Sequence, residues 1–200
     1  MGTRNLTMVF KDGEYKVAQY GQWDGYPGGQ GLNALTFLRD ELDRDKFFAG
    51  LSRICEPTQE LYDRINAQID RGGRVSDVCP SLSRDTCAKI LGVIQDSTEP
   101  VPLRLSVDYA GDSLSCEWIW LADFDRGTFE AYKGFNKEPL DPSERFANTP
   151  LDPDGHTFKD GDGGTYRYHQ CKFVTSWPLD SLPDDETFLA AFRSPDEDED

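Results

Sequence analysis

The residues best suited to binding chemistry lie in a glycine-rich stretch near the start of the chain, GQWDGYPGGQG from Gly21 to Gly31. Its five glycines predict an irregular loop whose backbone can approach another molecule closely. Amide, indole, carboxylate and phenol groups follow one another in this stretch, at Gln22, Trp23, Asp24, Tyr26 and Gln30. We therefore expect a ligand-binding or partner-binding surface here; the alternative is a packed loop closed by aromatic side chains.

Two other groups of residues have side chains that could hold a metal ion or act as a nucleophile. A glycine-rich segment from 150 to 164 carries carboxylates of the type that Ca²⁺ prefers, in Asp152-Pro153-Asp154-Gly155 and in Asp160 to Gly164. The residue spacing of an EF-hand loop is absent from it. His169 and Cys171 are two residues apart in a predicted strand, and a Cys–His pair is an alternative to two core residues. We expect the segment from 150 to 164 to be a surface loop and His169 and Cys171 to be packed in a strand. Neither a metal site nor a cofactor is expected.

The cysteines at positions 55, 79, 87, 116 and 171 form no C-x-x-C pair, which predicts reduced thiols and argues against a zinc site. No apolar run approaches the length of a membrane span, and the N-terminus lacks the apolar core of a signal peptide. These features predict a cytoplasmic protein that does not enter a membrane.

The charge of the chain excludes several classes of partner. The 200 residues carry a net charge of −16, and −11 remains when the five acidic residues Asp196 to Asp200 are set aside. Direct binding to nucleic acid or to anionic membranes requires an excess of Lys and Arg, so neither is expected. A basic protein surface is compatible with this charge, and an acidic protein that occupies a basic groove of its partner is one functional alternative.

The elements that must position the glycine-rich stretch begin with a β-hairpin. Leu6, Met8 and Phe10 alternate with Thr7 and Val9, which is the period of a strand. Asp-Gly within Lys11 to Glu14 is a strong hairpin-turn signal, and Tyr15 to Tyr20 is rich in residues that favour a return strand.

This opening resembles the N-terminal hairpin of the N-terminal-nucleophile (Ntn) hydrolases, especially the β-type subunits of the proteasome. That family is cleaved between Gly and Thr to expose a threonine nucleophile; Gly2-Thr3 stands at this place here, and Gly13 falls at the hairpin turn. The similarity covers about twenty residues. The family's Asp at the end of the return strand is replaced by Gln19, and its Lys by Leu35 or a neighbour. The start M-G-T-R also resembles small uncharacterised microbial and phage proteins, which implies no activity.

The resemblance implies one enzymatic alternative, an amide hydrolase in which Thr3 is the nucleophile after loss of Met1 and Gly2. Arg4 would orient a carboxylate-bearing substrate, Gln19 would position a water or a substrate amide, and the backbone of Gly28-Gly29 would supply oxyanion donors. Neither Gln19 nor Leu35 can lower the pKa of the terminal amine or share its proton. A non-catalytic protein that acts by binding is therefore our first functional expectation.

The rest of the chain predicts packing elements. Helices are expected after Gly31, after an Asp43 cap, after Pro57 and after a Ser83 cap, with a last one beginning near Leu182. Strands are expected at Leu103–Val107, at Leu114–Phe124 with apolar residues on both faces, at Thr128–Lys133 and over Thr165–Trp177. Trp118 and Trp120 are predicted core residues rather than a binding platform.

The order of these elements predicts an α+β fold with one or more antiparallel sheets and helices. A single globular domain is expected over 1–194, followed by a disordered acidic tail at 195–200. Strands that are apolar on both faces, together with the Ntn resemblance, suggest a four-layer αββα sandwich; a two-layer α+β domain is the alternative.

Overall fold

The computed structural model describes residues 2–151, 157–159, 161 and 163–193. Its centre is a five-stranded sheet in the order β2-β1-β5-β6-β9. These strands are β1 (Asn5–Lys11), β2 (Glu14–Gly21), β5 (Trp118–Asp123), β6 (Thr128–Lys133) and β9 (Lys172–Pro178). Two small sheets pair β3 (Ile54–Cys55) with β4 (Val101–Pro102) and β7 (Phe158–Lys159) with β8 (Thr165–Tyr166).

The main sheet is mixed. β1 runs parallel to β5, whereas the β1–β2, β5–β6 and β6–β9 pairs are antiparallel. The expectation of an antiparallel sheet is therefore wrong at the β1–β5 pair. A long connection with several helices separates these two strands, and such a connection allows the chain to cross over and return in the same direction.

The predicted hairpin is confirmed. Asp12 and Gly13 form its turn with φ values of 56° and 79°, and positive φ at both central positions is what a tight twisted hairpin requires. The two carboxylate oxygens of Asp125, from the β5–β6 turn, accept hydrogen bonds from the amides of Asp12 and Gly13, both at 2.8 Å. The turn between β5 and β6 thus stabilises the turn between β1 and β2.

Helices cover one face of the sheet. The helices of the described chain are α1 (Leu32–Thr36), α2 (Arg44–Leu51), α3 (Gln59–Asp70), α4 (Ile90–Gln95) and α5 (Asp185–Ala190). All but α3 contribute buried residues to the core on this face. The predicted cap Asp43 is confirmed, since its carboxylate accepts a hydrogen bond from Lys46 N at 3.1 Å. The core on this face contains Val9, Leu35, Trp120 and Phe188, so Leu35, where the Ntn family carries Lys, is a packing residue.

The opposite face of the sheet has its own core, formed by Leu6, Met8, Ile119 and Leu121 among others. A helical turn at Val107–Gly111 and the loop around Phe146 cover it. β5 is therefore the buried central strand that its sequence predicts. The four-layer αββα sandwich is not confirmed, because the described residues place one large sheet, and no second one of similar size, between the helices and these loops.

Several sequence expectations about local structure are wrong. Pro27–Gly31 forms a wide π-type turn that leads into α1, although its glycines predicted irregular chain. A second such turn at Phe37–Glu41 continues the helix that was predicted after Gly31. Ser83 does not cap a helix: its hydroxyl accepts from Asp85 N at 3.2 Å, and the helical chain begins at Cys87. Tertiary contacts override local propensity at these points.

Two predicted strands are also wrong. No strand forms over the predicted Leu103 to Val107: the short strand β4 ends before it at Pro102, and a helical turn begins at Val107. The predicted strand Thr165–Trp177 is divided into β8 and β9. The amides of His169 and Cys171, between them, donate to the carbonyls of Asn136 and Ala110 rather than to a neighbouring strand.

The acidic runs Asp152–Gly155, Asp160 and Asp162, and the tail from 195 to 200, lie outside the described residues. Among the helices that are described, none is long and apolar enough to span a bilayer.

Candidate functional site

The segment from Gln22 to Gln30, which we call the aromatic loop, is fastened to the body of the protein by its backbone. Gln22 N donates to Arg84 O at 3.0 Å, and Gly25 N donates to Thr3 O at 2.9 Å. The indole Nε1 of the buried Trp120 donates to Gly25 O at 2.9 Å. Contacts with three separate parts of the chain therefore fix the path of the loop.

The carbonyl oxygen of Trp23 is a second anchor. It accepts from Gln30 Nε2 at 3.2 Å, from Asn5 Nδ2 at 3.4 Å and from Cys87 Sγ at 3.7 Å. Gln30 is buried, and its Oε1 accepts from Ala88 N at 3.2 Å. The side chain of Gln30 thus connects two parts of the chain from inside the loop, and its predicted role as a binding residue stays a prediction.

The two aromatic side chains of the loop are presented to solvent. Trp23 and Tyr26 are each 46 % exposed, although the backbone beneath them is held in place. Trp23 Nε1 donates to Asp85 Oδ1 at 2.9 Å, which fixes the orientation of the indole. Large aromatic side chains that are exposed on a rigid backbone are the usual anchors of protein interfaces, because little conformational entropy is lost on binding.

Two carboxylates lie close to Trp23, one by direct contact and one next to it in the chain. Asp24 and Asp85 are both exposed, and Asp85 contacts the indole of Trp23 directly. Asp24 has a φ of 53°, a strained conformation that Asp tolerates better than most residues and that turns the chain toward Tyr26. An aromatic face next to carboxylates favours a cationic group, through cation–π and ion-pair contacts.

Gln22 belongs to the same surface at its edge. It is half-buried, and its Oε1 accepts from the hydroxyl of Tyr20 at 2.6 Å. Of the five binding residues expected from the sequence, the structure therefore presents Trp23, Asp24 and Tyr26 to solvent.

Sequence reasoning missed Asp85, because it lies far from the loop along the chain and its partnership with Trp23 exists only in the folded structure. No local pattern in the sequence marks this contact, since Asp85 follows Arg84 in an ordinary polar run.

The three catalytic candidates do not hydrogen-bond to one another among the described residues; each has partners elsewhere. Thr3 lies beside Gly25, but Gln19 pairs with Thr7 in the hairpin register and its Nε2 donates to Ser83 O at 2.9 Å. Arg4 is tied to Glu117 through its backbone, with Arg4 N at 3.2 Å from Glu117 Oε1. The residues implied by the Ntn resemblance thus occupy three different environments.

The backbone amides expected to serve as oxyanion donors are also partly used within the loop. Gly29 N donates to Tyr26 O at 3.0 Å, and Gln30 N donates to Asp24 O at 2.7 Å. Gly29 N is therefore engaged and does not point freely to a substrate.

The thiols near the predicted Cys–His pair and near the aromatic loop are engaged in hydrogen bonds to carbonyl groups of the described chain. Cys171 is buried and its Sγ donates to Cys116 O at 3.3 Å, while His169 is held through its amide. Cys87 begins a helical segment with a φ of 47°, and its Sγ donates to Trp23 O and Arg84 O. Burial raises the pKa of the Cys87 thiol, so the thiolate is disfavoured.

Within the ranges that the structure describes, no group of three or more His, Cys, Asp or Glu side chains is placed to hold a metal ion. Comparison of the chain with protein-family models, with curated proteins and with solved structures finds no match.

Proposed function

We propose that this protein acts by binding, and that the aromatic loop contacts a basic segment of a protein partner. The observation that carries the proposal is the equal, large exposure of Trp23 and Tyr26 on a backbone that hydrogen bonds hold in place. Most large apolar side chains of a folded domain are buried, so two neighbouring exposed aromatic residues need an explanation.

Charge favours a cationic partner. Asp24 and Asp85 flank Trp23, and the whole chain carries a net charge of −16. A Lys or Arg side chain placed over the indole would gain a cation–π contact and would be attracted by both carboxylates. The long-range field would accelerate the encounter, and the aromatic rings would supply the local contact.

The direct test uses a fluorescein-labelled deca-arginine peptide as the probe, with fluorescence anisotropy at about 0.15 M salt, where long-range surface electrostatics are screened. Trp23→Ala combined with Tyr26→Ala should weaken binding by about tenfold or more, since interface aromatic residues are frequent hot spots. Phe135→Ala is the matched control, because Phe135 is 47 % exposed but lies outside the loop.

An alternative in which the acidic surface as a whole occupies a basic groove makes a different prediction. In that case the aromatic variants would bind as the wild type does, and only added salt or removal of charge would weaken binding. This result would contradict a specific role for the loop.

A second proposal is the amide hydrolase that the Ntn resemblance implies. The hydrogen bond from Gly25 N to Thr3 O favours it, because Thr3 then lies beside the glycine-rich loop. Its test is the intact mass of protein made in its own host, compared with Thr3→Ala. A mature N-terminus at Thr3 would support it, whereas retention of Gly2 would exclude the autocatalytic route.

A further inference from the structure

A second surface feature lies next to the aromatic loop and has the opposite charge. A cleft of about 200 Å³ is lined by Gln19, Tyr20, Tyr62, Arg84, Arg104 and Ser106, among others. None of its lining residues is acidic. In a chain with 37 acidic and 21 basic residues, two arginines and no carboxylate among the lining residues are a local excess of positive charge.

Both arginine side chains are available to a ligand. Arg84 and Arg104 are exposed, and neither guanidinium has an ion-pair or hydrogen-bond partner within the part of the chain that the structure describes. By contrast, Arg39 and Arg145 are each paired with carboxylates. Asp85 follows Arg84 directly, but its carboxylate accepts from Trp23 Nε1.

The position of Arg84 is fixed at the backbone. Its carbonyl oxygen accepts from Gln22 N at 3.0 Å and from Cys87 Sγ at 3.4 Å, so the guanidinium projects from a held segment. Ser106 is held in a similar way, since its amide donates to Ala18 O at 2.9 Å. The cleft therefore has a rigid floor and two long cationic side chains at its rim.

A third arginine, Arg4, acts on one of the lining residues. Burial raises the pKa of Tyr20, and the nearby Arg4 and Arg84 oppose this rise, which places both cations within electrostatic range of the Tyr20 phenol. The Nε of Arg4 is buried without a hydrogen-bond partner in the described structure. Arg4 and Arg84 thus both act on the Tyr20 phenol, and Arg84 and Arg104 line the cleft itself.

We propose that this cleft binds the phosphate group of a small phosphorylated molecule. Two guanidinium groups are suited to a phosphate dianion, because each offers a planar fork of donors to its oxygens. Tyr20 and Tyr62 also line the cleft and offer aromatic contacts to an organic substituent, and the volume suits a compact ligand rather than a nucleotide-sized one. This site uses residues that the aromatic loop does not, so it stands independently of the proposed function.

The test is isothermal titration calorimetry with phenyl phosphate as the probe, and with inorganic phosphate and benzoate for comparison. Phenyl phosphate should bind more tightly than either, since only it offers both a phosphate dianion and a ring for the tyrosines. Equal binding of inorganic phosphate would overturn the role of the tyrosines, and equal binding of benzoate would overturn the preference for phosphate.

The variants Arg84→Gln and Arg104→Gln should each weaken phenyl phosphate binding by about tenfold, as expected for the loss of charged hydrogen bonds. Arg44→Gln removes the same charge from an exposed position outside the cleft and should bind as the wild type does. An equal loss in all three variants would show that only net charge matters and would overturn the site. Arg84→Lys should recover part of the loss, because it restores the charge but not the planar fork.

The tests of the two proposed sites can fail independently of each other. Phenyl phosphate is an anion and deca-arginine a cation, and the variants of the cleft and of the loop have no residue in common. Far-ultraviolet circular dichroism of Arg84→Gln and Arg104→Gln should match the wild type, since both side chains are exposed. A loss of binding in folded variants then reports on the cleft itself.

Discussion

Arg145 and Glu130 form a buried ion pair that fastens the loop after β6 to the sheet, with Arg145 Nε at 3.0 Å from Glu130 Oε2. Their side chains are only 8 % and 5 % exposed. The same guanidinium also pairs with Asp123, and its Nε lies 3.2 Å from the hydroxyl of Tyr132. One cation thus satisfies two buried carboxylates on neighbouring strands.

Replacing Arg145 by Met should destabilise the protein by about 3–5 kcal/mol, because Asp123 and Glu130 would remain buried without their cation. Arg126→Met is the matched control: Arg126 lies 3.9 and 4.0 Å from the same two carboxylates but is 66 % exposed. Its removal should cost about 1 kcal/mol or less. Urea unfolding of both variants tests this, and similar losses would contradict the assigned role of Arg145.

Two adjacent glycines of the aromatic loop should respond differently to alanine. A Cβ on Gly29 would lie 2.1 Å from Asp24 O, so Gly29→Ala must displace the backbone of the loop. A Cβ on Gly28 would meet its nearest neighbours at 3.8 Å, an ordinary contact.

Gly29→Ala should therefore lower the melting temperature, by about 2–4 °C for each kcal/mol of strain. It should also weaken binding of the deca-arginine probe. Gly28→Ala should change neither the melting temperature nor the binding. Thermal unfolding followed by circular dichroism gives the first quantity and anisotropy the second. If both variants kept full binding, the loop conformation would not matter to the interaction.

The contact of Asp125 with the hairpin turn predicts a pH dependence of stability. Hydrogen bonds from the amides of Gly13 and Asp12 lower the pKa of the Asp125 carboxyl. A carboxyl whose pKa is lower in the folded state stabilises the protein above the pKa of the unfolded chain, about 3.9, and this contribution disappears as the pH falls through the folded pKa.

Asp125→Asn should therefore melt at a lower temperature than the wild type at pH 6, and the difference should shrink at pH 3. Asp108→Asn, at an exposed position away from the turn, should show no such change in the difference. A difference for Asp125→Asn that is the same at both pH values would show that the carboxylate charge does not hold the turn.

The five cysteines should react at two distinct rates. All are free thiols within the described ranges, and Cys55 is exposed while Cys79, Cys87, Cys116 and Cys171 are buried. Burial also raises the pKa of the Cys87 and Cys116 thiols. Ellman's reagent should modify one thiol rapidly in the native protein and the others only in denaturant. Cys55→Ser should abolish the fast phase; a fast phase that survives would mean that a buried thiol becomes accessible.

Local patterns in the sequence were sufficient where neighbours along the chain decide the structure. The Asp12-Gly13 turn needs only two residues that tolerate positive φ, and the Asp43 cap needs one carboxylate before a helix. The double-sided apolar pattern around Trp120 likewise identified the central strand.

Predictions from the sequence were wrong where contacts between distant residues decide the structure. The strand expected over Thr165 to Trp177 is interrupted because the amides of His169 and Cys171 bond to Asn136 and Ala110, which are remote in sequence. The parallel pairing of β1 with β5 follows from a long crossover, for which no local pattern exists.

At the candidate site, the sequence suggested Trp23, Tyr26 and Gln30 alike as binding residues, but nothing local indicates that the amide of Gln30 bonds to Trp23 and Ala88 while the two aromatic side chains are exposed. Arg84 and Arg104 were not singled out at all. Each is an unremarkable surface residue until the fold places both at one cleft.

The parallel pairing of β1 and β5 also constrains how the chain becomes folded during synthesis. The hairpin is complete once Gly21 has been made, yet the strand that belongs beside β1 begins only at Trp118. Until then the edge of β1 has unpaired backbone groups, and such edges are sites of aggregation. A ribosome-bound fragment that stops before Trp118 should therefore depend on chaperones, whereas the full chain closes this edge by itself.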